Sequence, residues 1–324
     1  MAASKMSRRI AIAGASGFVG QALVQSLAGT EVQVAAIARS ALAGHLFPIA
    51  DCYRVGDYST DAQLGEALRK AHVAVYLAGR AHVHEASTAG SLALFREANC
   101  RSAVGFARAA ASAGVQRLIY LSTIGVNGSE TWGEPFRARD LARPDTPYAV
   151  SKMEAEHSLT ATARSSGMDL VIIRPPLVYG PGAPGNFGRL LRLVLSETPL
   201  PLASIRNSRS FIGIDNLTDL IKRCCWHSSA PGRTLLAADR EVISTPSLVR
   251  LLAAFSGRRA RLFRFSPPIL KATAVVLGAQ RLATQLCGSL EVDIEETCAA
   301  LEWAPPLTQN EGLRRAVASH GGAL

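Results

Sequence analysis

Short apolar runs alternate, over the first 175 residues, with stretches in which apolar residues recur every three or four positions. The runs are continuous and bounded by turn residues, which is typical of strands buried in a parallel sheet. They cover residues 8–13, 32–38, 52–55, 73–77, 117–122 and 169–174. The helical stretches include residues 61–71, 91–113 and 147–166. This alternation predicts an α/β fold, a doubly wound parallel Rossmann sheet with helices on both faces.

The pattern changes after residue 175. Seven prolines and glycines crowd residues 175–185, which indicates an irregular segment. Shorter helical patterns follow, together with small strands; the helices cover residues 190–196, 216–226 and 247–255. We therefore expect a dinucleotide-binding Rossmann domain over residues 1–175, to which some later segments return. We expect residues 176–324 to form mainly a smaller α/β substrate-binding lobe.

A glycine-rich segment, residues 14–20 (GASGFVG), lies between the first strand and the first helix. Phosphate groups bind backbone N–H groups at a helix N-terminus, and glycine removes the side chains that would block their approach. The spacing G-x-x-G-x-x-G at this place predicts a cofactor-phosphate site. A tight turn without a ligand is the alternative. The predicted cofactor-binding residues here are Gly14, Gly17, Phe18, Val19 and Gly20.

The ends of the second and third strands carry candidate contacts to the rest of a dinucleotide. Arg39 and Ser40 stand where an acidic residue would bind the ribose of NAD, and they favour the 2′-phosphate of NADP(H). NAD(H) stays open, because a solvated arginine at a strand end is also common. Asp57 can accept a hydrogen bond from the adenine amino group, or it caps a helix.

Tyr148 and Lys152 stand four residues apart on one face of a predicted helix. Thr146 can cap that helix, and Pro147 suits its first turn. A lysine ammonium group near a phenol stabilises the phenolate, so that its pKa falls towards the working pH. Thr123, at the end of the preceding strand, supplies a hydroxyl to orient a substrate oxygen. We predict Thr123, Tyr148 and Lys152 to be catalytic.

Together these motifs resemble the extended short-chain dehydrogenases/reductases, the NAD-dependent epimerase/dehydratase group. The resemblance extends from Gly14 to residues 301–305 (LEWAP), which are similar to the family's terminal L-G-W-x-P. It implies that Thr123, Tyr148 and Lys152 are the catalytic Ser/Thr, the acid/base and the lysine that binds the cofactor ribose. It also implies a structural role for Asn99. Three residues match the loop that passes the cofactor: Leu77, Ala78 and Gly79.

Three further segments narrow the resemblance. Residues 174–182 (RPPLVYGPG) are followed by Asn186, which matches a contact to the substrate diphosphate. Residues 209–216 (RSFIGIDN) begin with Arg209, whose counterpart pairs with that diphosphate; a solvated loop charge is the alternative. Residues 122–128 (STIGVNG) have an asparagine in place of the common tyrosine. This variant looks most like bacterial UDP-N-acetylquinovosamine-type 4-ketoreductases.

The resemblance implies NAD(P)H-dependent reduction of the 4-keto group of a nucleotide-activated sugar. The expected substrate is a UDP-4-keto-6-deoxy-N-acetylhexosamine, used in bacterial surface-polysaccharide (lipopolysaccharide) biosynthesis. Two alternatives remain. One is an NAD-dependent nucleotide-sugar 4-epimerase of the UDP-glucose/UDP-GlcNAc type, which would use the same residues. The other is a non-catalytic sensor that binds the cofactor.

Thirty-five Lys and Arg residues outnumber 25 Asp and Glu residues, so the formal net charge is +10. This excess fits an anionic ligand, an anionic membrane face or nucleic acid.

Six cysteines without a C-x-x-C pair exclude a disulfide scaffold and favour the cytoplasm. The apolar stretch after the basic N-terminus contains glycines and resolves into strand, turn and helix, which argues against a signal peptide. No apolar window reaches the length of a membrane span.

Two stretches carry residues typical of metal or nucleic-acid binding, but we expect neither function from them. His82 and His84 lack a set of partner ligands, and no metal is expected. Residues 257–265, basic with interleaved aromatics, favour an exposed edge strand over nucleic-acid binding. Residues 272–280, between two basic residues, predict a helix that leaves peripheral membrane contact open. The expected partner is a nucleotide-diphosphate sugar, and a homodimer also stays open.

Overall fold

The computed structural model describes residues 8–46, 48–80, 88–278 and 280–319. The strands are β1 (Arg9–Ala13), β2 (Gln33–Ala38), β3 (Asp51–Arg54), β4 (Val73–Tyr76), β5 (Arg117–Leu121), β6 (Asp169–Arg174), β7 (Leu177–Tyr179), β8 (Arg209–Gly213), β9 (Thr234–Leu236) and β10 (Val242–Ile243). The helices are α1 (Phe18–Ser26), α2 (Ala62–Leu68), α3 (Thr88–Phe95), α4 (Ser102–Ser112), α5 (Pro147–Ser166), α6 (Gly185–Leu195), α7 (Ile214–Trp226), α8 (Thr245–Phe255), α9 (Pro267–Val276), α10 (Gln280–Cys287), α11 (Glu295–Leu301) and α12 (Gln309–Ala318).

The chain divides into two compact units. The first unit comprises Met1–Val126, Ala142–Arg174 and Ile221–Leu235. The second comprises Asn127–Leu141, Pro175–Leu220 and Leu236–Leu324. Within the described residues, no helix combines the length and the apolar character that crossing a bilayer requires.

The first unit is built on a seven-stranded sheet in the order β3-β2-β1-β4-β5-β6-β9. The pairs from β3 to β6 are all parallel, which confirms the predicted doubly wound sheet. The chain runs from β1 outward to β3 on one side and resumes with β4 on the other. The carboxyl ends of β1 and β4 therefore form the topological switch point, where open α/β sheets bind their ligands.

The central strands are buried on both faces, which explains their continuous apolar sequences. One face packs on helices rich in alanine, so that small side chains admit close approach. An aromatic cluster fills the space that the alanines leave. In this cluster the ring of Tyr76 lies 5.6 Å from that of Tyr58 and 5.1 Å from that of Phe106. Such aromatic pairs contribute about 0.5–1.5 kcal/mol each beyond the area they bury.

Helix α5 begins and ends as its sequence predicts. Thr146 caps it by accepting a hydrogen bond of 3.1 Å from the backbone of Ala149, and Pro147 occupies the first turn. Gly167, at φ 72°, ends the helix in the left-handed conformation. The stretch 91–113 differs from the prediction of one helix. A π-helical turn, Arg96–Arg101, separates α3 from α4.

The second unit contains a small sheet in which β8 pairs with β7 in parallel and with β10 antiparallel. The buried carboxylate of Asp239 organises this region. It accepts hydrogen bonds from the Tyr179 hydroxyl (2.7 Å), the Asn216 amide (2.7 Å) and the Gly213 backbone (3.0 Å). Burial raises its pKa. The edge strand predicted over residues 257–265 is reduced to one isolated bridge, at Leu262.

Candidate active site

The glycine loop follows β1 at the switch point, and its three glycines have different reasons to be glycine. Gly14 has a φ of 84°, and a Cβ there would lie 2.6 Å from the backbone nitrogen of Ala78. A Cβ at Gly20 would collide with the carbonyl oxygen of Gly14. Gly17 has an ordinary φ of −80° and is exposed. Gly14 and Gly20 thus serve the packing of the turn, whereas Gly17 keeps its outer side open.

The N-terminus of α1 carries the features of an anion site. Gly17 is its N-cap and offers no side-chain hydrogen bond to the helix. The first turn, which contains Phe18 and Val19, holds no acidic residue. Backbone N–H groups at an uncapped helix N-terminus attract phosphate. The site therefore fits the diphosphate of a dinucleotide.

The loop after β4 is tied to helix α5 through Asn99. The side-chain oxygen of Asn99 accepts a hydrogen bond of 2.7 Å from the backbone of Arg80, and its amide donates to the Arg80 carbonyl at 3.1 Å. The same amide donates to the hydroxyl of Ser151 at 3.0 Å. Asn99 lies in the π-helical turn, a feature frequent at functional sites. It holds residues 77–79 beside the switch point.

Thr123 and Tyr148 lie in the first unit, with Thr123 just beyond the carboxyl end of β5. The Thr123 hydroxyl accepts a hydrogen bond of 3.2 Å from the backbone of Gly125. Tyr148 stands in the first turn of α5, and its ring packs edge-on against Phe95 at 5.9 Å. Because β1, β4 and β5 are parallel, Thr123 and the glycine loop follow the same edge of the sheet. A proton-transferring phenol and a phosphate-binding loop thus occur in one unit.

Lys152 is buried one turn after Tyr148. Its ammonium group donates a hydrogen bond of 2.7 Å to the carbonyl oxygen of Leu121. It also lies 4.2 Å from the centre of the Tyr120 ring, at cation–π distance. Burial lowers the pKa of Lys152 to about 7, and the negative charge of Glu156 opposes this effect.

The ionisation of Tyr148 differs from the sequence-based expectation. Burial raises its pKa to about 12, whereas a lowering was expected from the nearby lysine. The physical reason is that desolvation disfavours the phenolate. The ammonium group of Lys152 is meanwhile directed to a backbone carbonyl and an aromatic ring. In the chain alone, the phenol is therefore a proton donor.

Sequence reasoning missed a buried carboxylate, Glu156, four residues after Lys152. It accepts hydrogen bonds from the Ser122 hydroxyl and from both sides of the Arg174 guanidinium, whose Nε lies at 2.9 Å. Glu156 is only 3% exposed and Arg174 8%. The continued spacing of four residues along α5 was the signal that could have found it. The ion pair joins the helix of Tyr148 to the end of β6.

Arg39 and Asp57 lie at the ends of β2 and β3 and are both exposed. The guanidinium of Arg39 stands over the ring of Tyr58, 5.7 Å from its centre. The carboxylate of Asp57 accepts from the backbones and hydroxyls of Ser59 and Thr60, and these bonds lower its pKa. Asp57 therefore orders its own turn, while helix α2 is capped by Asp61.

The predicted substrate contacts lie in the second unit. Arg209, at the start of β8, is 8% exposed and donates a hydrogen bond of 2.7 Å to the carbonyl oxygen of Gly288. Burial lowers its pKa to about 10, against the opposing charge of Glu130. Asn186, in the first turn of α6, donates to the side chain of Gln285. The buried Arg209 is thus not the solvated loop charge that was the alternative.

Metal binding finds no support in the part of the chain that the structure describes, which holds no cluster of three or more His, Cys, Asp or Glu residues suited to a metal ion. His82 and His84 lie outside the described residues.

Residues 10–236 match the model of the NAD dependent epimerase/dehydratase family. The chain belongs to this family. A UDP-glucose 4-epimerase from Vibrio cholerae is 39% identical over 319 residues, covering 96% of this chain and 95% of its own. MoeE5, solved in complex with UDP-glucuronic acid and NAD, has a TM-score of 0.80 at 21% identity and covers 98% of this chain and 100% of its own. A UDP-glucuronic acid 4-epimerase from Bacillus cereus, solved in complex with NAD, has a TM-score of 0.77 at 20% identity and covers 96% of this chain and 98% of its own.

Membership confirms the predicted epimerase/dehydratase resemblance and makes the protein an enzyme of the NAD-dependent oxidoreductase type. The solved neighbours share the fold of the chain over nearly its whole length. The narrower prediction of a 4-ketoreductase is not confirmed, because the relative that is 39% identical carries the name of an epimerase.

Proposed function

We propose that the protein is an NAD-dependent 4-epimerase of a UDP-activated hexose. The observation that carries the proposal is the 39% identity to a UDP-glucose 4-epimerase over 96% of the chain. The site supports it, since Thr123, Tyr148 and Lys152 lie together in the unit that holds the glycine loop. Epimerisation was the alternative expectation from the sequence, and it replaces ketoreduction as the first candidate.

The residues around the switch point fit the cofactor. Backbone N–H groups at Phe18 and Val19 would hold its diphosphate, as the uncapped N-terminus of α1 indicates, while that of Gly17 donates to the carbonyl oxygen of Gly14 at 3.0 Å and closes the turn. Residues 77–79, held by Asn99, would line its path. Bound NAD⁺ would supply a reversible acceptor for the hydride of the sugar. The preference for NADP(H) expected from Arg39 and Ser40 stays a prediction.

The chain's own residues handle the proton. In the proposed cycle Tyr148 acts as the phenolate, because the positive charges of Lys152 and of bound NAD⁺ would offset the desolvation that raises its pKa in the chain alone. As the C4 hydroxyl of the sugar is oxidised, its proton passes to this phenolate oxygen. The same proton returns from Tyr148 to the C4 oxygen of the sugar when C4 is reduced on its opposite face, so no proton or hydride is lost over the cycle. Thr123 donates a hydrogen bond to the same sugar oxygen. Lys152, buried and held by Leu121, binds the cofactor ribose and stabilises the phenolate.

Arg209 supports a diphosphate-containing substrate. A guanidinium that is 8% exposed has lost most of its hydration, and a backbone carbonyl compensates only part of that loss. A doubly charged diphosphate would accept bidentate hydrogen bonds from the guanidinium and supply negative charge beyond that of Glu130. Asn186 would donate to the same group from the N-terminal turn of α6.

A 4-ketoreductase is the second candidate, and Asn127 favours it. This residue replaces the tyrosine that is common in its segment, a variant that resembles the ketoreductases. Asn127 is buried and donates a hydrogen bond of 2.9 Å to the carbonyl oxygen of Arg137. The expected substrate in this case is a UDP-4-keto-6-deoxy-N-acetylhexosamine.

One pair of assays separates the candidates. The protein is incubated with NAD and UDP-glucose, UDP-galactose or UDP-N-acetylglucosamine, and inversion at C4 is followed by proton NMR. In parallel it receives the 4-keto sugar nucleotide with NADH or NADPH, and oxidation of the cofactor is followed by absorbance. An epimerase interconverts the sugars without net oxidation of cofactor; a ketoreductase consumes it stoichiometrically. If a cofactor-loaded protein does neither, both enzymatic proposals are wrong and the sensor alternative gains support.

A further inference from the structure

One surface segment concentrates the positive charge of the protein. Residues 256–290, here called the basic-apolar segment, contain six basic residues and no Asp or Glu. The basic residues are Arg258, Arg259, Arg261, Arg264, Lys271 and Arg281. Neither the cofactor nor the substrate site proposed above accounts for this charge. One neighbouring carboxylate compensates part of it, since Glu197 lies 3.5 Å from Arg261.

The same segment exposes an unusual amount of apolar surface. Seven of the thirteen large apolar side chains that are exposed in the described chain lie between residues 263 and 282. The most exposed are Val276 (86%) and Leu277 (78%). The others are Phe263, Phe265, Ile269, Val275 and Leu282. Helix α9 has no buried residue at all. Clusters of exposed apolar side chains on a soluble surface mark sites of interaction.

The segment is anchored at its C-terminal end. Helix α9 packs on α10, and Ala283 of α10 is buried. The carbonyl oxygen of Leu286 accepts hydrogen bonds from the amide of Asn207 (3.2 Å) and the hydroxyl of Thr245 (2.8 Å). The base of the helix pair is thus part of the second unit, while α9 stands on its surface. This arrangement presents the apolar side chains rather than covering them.

We propose that the basic-apolar segment docks the protein on the anionic surface of a lipid bilayer. Exposed aliphatic and aromatic side chains beside several arginines and lysines are the composition of interfacial helices, which bury their apolar side at the headgroup boundary. Each basic residue near an anionic membrane adds attraction of its own. The ten residues of α9 are too short to span a bilayer, so the helix lies in its surface.

The charge and the apolar surface of the basic-apolar segment argue against a second copy of the chain and against nucleic acid as its partner. A second copy of the chain would bring the same positive segment opposite itself in a symmetric contact, and like charges oppose that pairing. Nucleic acid would meet the arginines, but exposed Ile, Val and Leu side chains add little to phosphate contacts. An anionic bilayer satisfies both the charge and the apolar surface. The inference does not depend on the proposed enzymatic function.

Vesicle flotation with the full-length protein tests the proposal. Vesicles of phosphatidylcholine alone are compared with vesicles that also contain phosphatidylglycerol, at low and high salt. The variant Val276→Glu/Leu277→Glu removes apolar surface, and Arg264→Glu/Lys271→Glu reverses charge. Matched double controls place the same kinds of change elsewhere: Trp132→Glu/Leu141→Glu, at side chains that are 83% and 80% exposed, and Arg101→Glu/Arg108→Glu, at exposed arginines.

We expect the wild type and both controls to float with the anionic vesicles, and binding to fall at high salt. Arg264→Glu/Lys271→Glu lowers the partition coefficient by roughly tenfold or more, since each basic residue contributes on the order of a fivefold gain. Val276→Glu/Leu277→Glu lowers it by roughly tenfold as well, because two exposed aliphatic side chains no longer enter the headgroup boundary. Circular dichroism and thermal unfolding show that the variants remain folded. Absence of wild-type binding, or equal losses in the controls, overturns the proposal. So does a dimer that Val276→Glu/Leu277→Glu converts to a monomer in the absence of vesicles, since the occupant is then a second copy.

Discussion

The ammonium group of Lys152 donates a 2.7 Å hydrogen bond to the carbonyl oxygen of Leu121, the last residue of β5. The Lys152 side chain therefore points to the end of β5 and away from bulk water. Burial lowers its pKa to about 7 from an ordinary value of 10.5. The protein thus holds a cation next to its candidate acid/base at the cost of desolvating it.

This desolvation predicts how stability depends on pH in Lys152→Met. Between about pH 7 and 10.5 the unfolded chain keeps a proton on Lys152 that the folded chain has lost. Wild-type stability therefore gains from Lys152 as the pH rises through this window. We expect Lys152→Met to be more stable than wild type at about pH 6, by roughly 2 kcal/mol, and to lose that advantage towards about pH 10. Urea unfolding at several pH values measures it. A control, Lys271→Met on the exposed face of α9, should show no such trend.

Tyr148→Phe should abolish most catalysis without unfolding the protein. The hydroxyl is the proton carrier, and its loss lowers kcat by roughly 10²–10⁴-fold. The ring keeps its contact with Phe95, at 5.9 Å. Thr123→Val removes the orienting hydrogen bond, together with the bond that the hydroxyl accepts from the Gly125 backbone, and should lower kcat less than Tyr148→Phe does. Steady-state kinetics of sugar interconversion gives both values, and thermal unfolding confirms the fold. A Phe variant with more than a tenth of wild-type kcat would contradict the role.

Removing one partner of the ion pair between Glu156 and Arg174 should destabilise the protein more than removing both partners. Glu156→Gln leaves the guanidinium of Arg174 buried without its countercharge, which costs about 3 kcal/mol. The double variant Glu156→Leu/Arg174→Met removes both charges and should recover much of that loss. Denaturant unfolding of Glu156→Leu, Arg174→Met and the double variant, beside Glu156→Gln, tests the coupling. Losses that simply add would show that the two side chains do not act as a pair.

Substitution by alanine should have different effects at two glycines of the phosphate loop: loss of stability at Gly14 and loss of NAD affinity at Gly17. Gly14→Ala places a Cβ 2.6 Å from the nitrogen of Ala78 at a φ of 84°, and we expect a loss of about 2 kcal/mol in stability. Gly17→Ala has an ordinary φ, and its Cβ would lie 3.3 Å from the carbonyl oxygen of Gly14, so we expect a smaller loss in stability of about 1 kcal/mol or less. Its methyl group instead meets the cofactor diphosphate, so NAD affinity should fall about tenfold. Calorimetric titration with NAD, beside thermal unfolding, distinguishes the two effects.

Arg39→Asp tests the preference for NADP(H). The exposed guanidinium at the end of β2 would pair with the 2′-phosphate, and an aspartate would repel it. We expect NADP(H) affinity to fall by at least about tenfold and NAD(H) affinity to hold or rise. Fluorescence titration with NADH and NADPH measures both. Equal affinity for the two cofactors in the wild type would remove Arg39 from the cofactor site.

Much of the first unit follows from local sequence. Helix α5 begins at Pro147 and ends at Ser166 because its cap, its proline and its terminal glycine are all encoded next to it. The continuous apolar strands predicted a parallel sheet because only burial on both faces tolerates them. The interruption at Asn99 was not predicted, because a π-helical turn keeps helical periodicity on either side and depends on what its side chain meets.

The sequence by itself determined the sheet, the position of the glycine loop and the order of Thr123, Tyr148 and Lys152, because these depend on periodicity, caps and spacing along the chain. Only the tertiary structure decided which charged side chains are buried, which partners they find and how their pKa values shift. Glu156 finds Arg174 and Ser122 across the fold, and Lys152 loses its hydration against Leu121 and Tyr120. Burial and partners that are distant in sequence set these charges and pKa values, and no local pattern records them. The exposure of α9 is likewise a tertiary fact, since an apolar helix in the sequence is ordinarily expected to be covered.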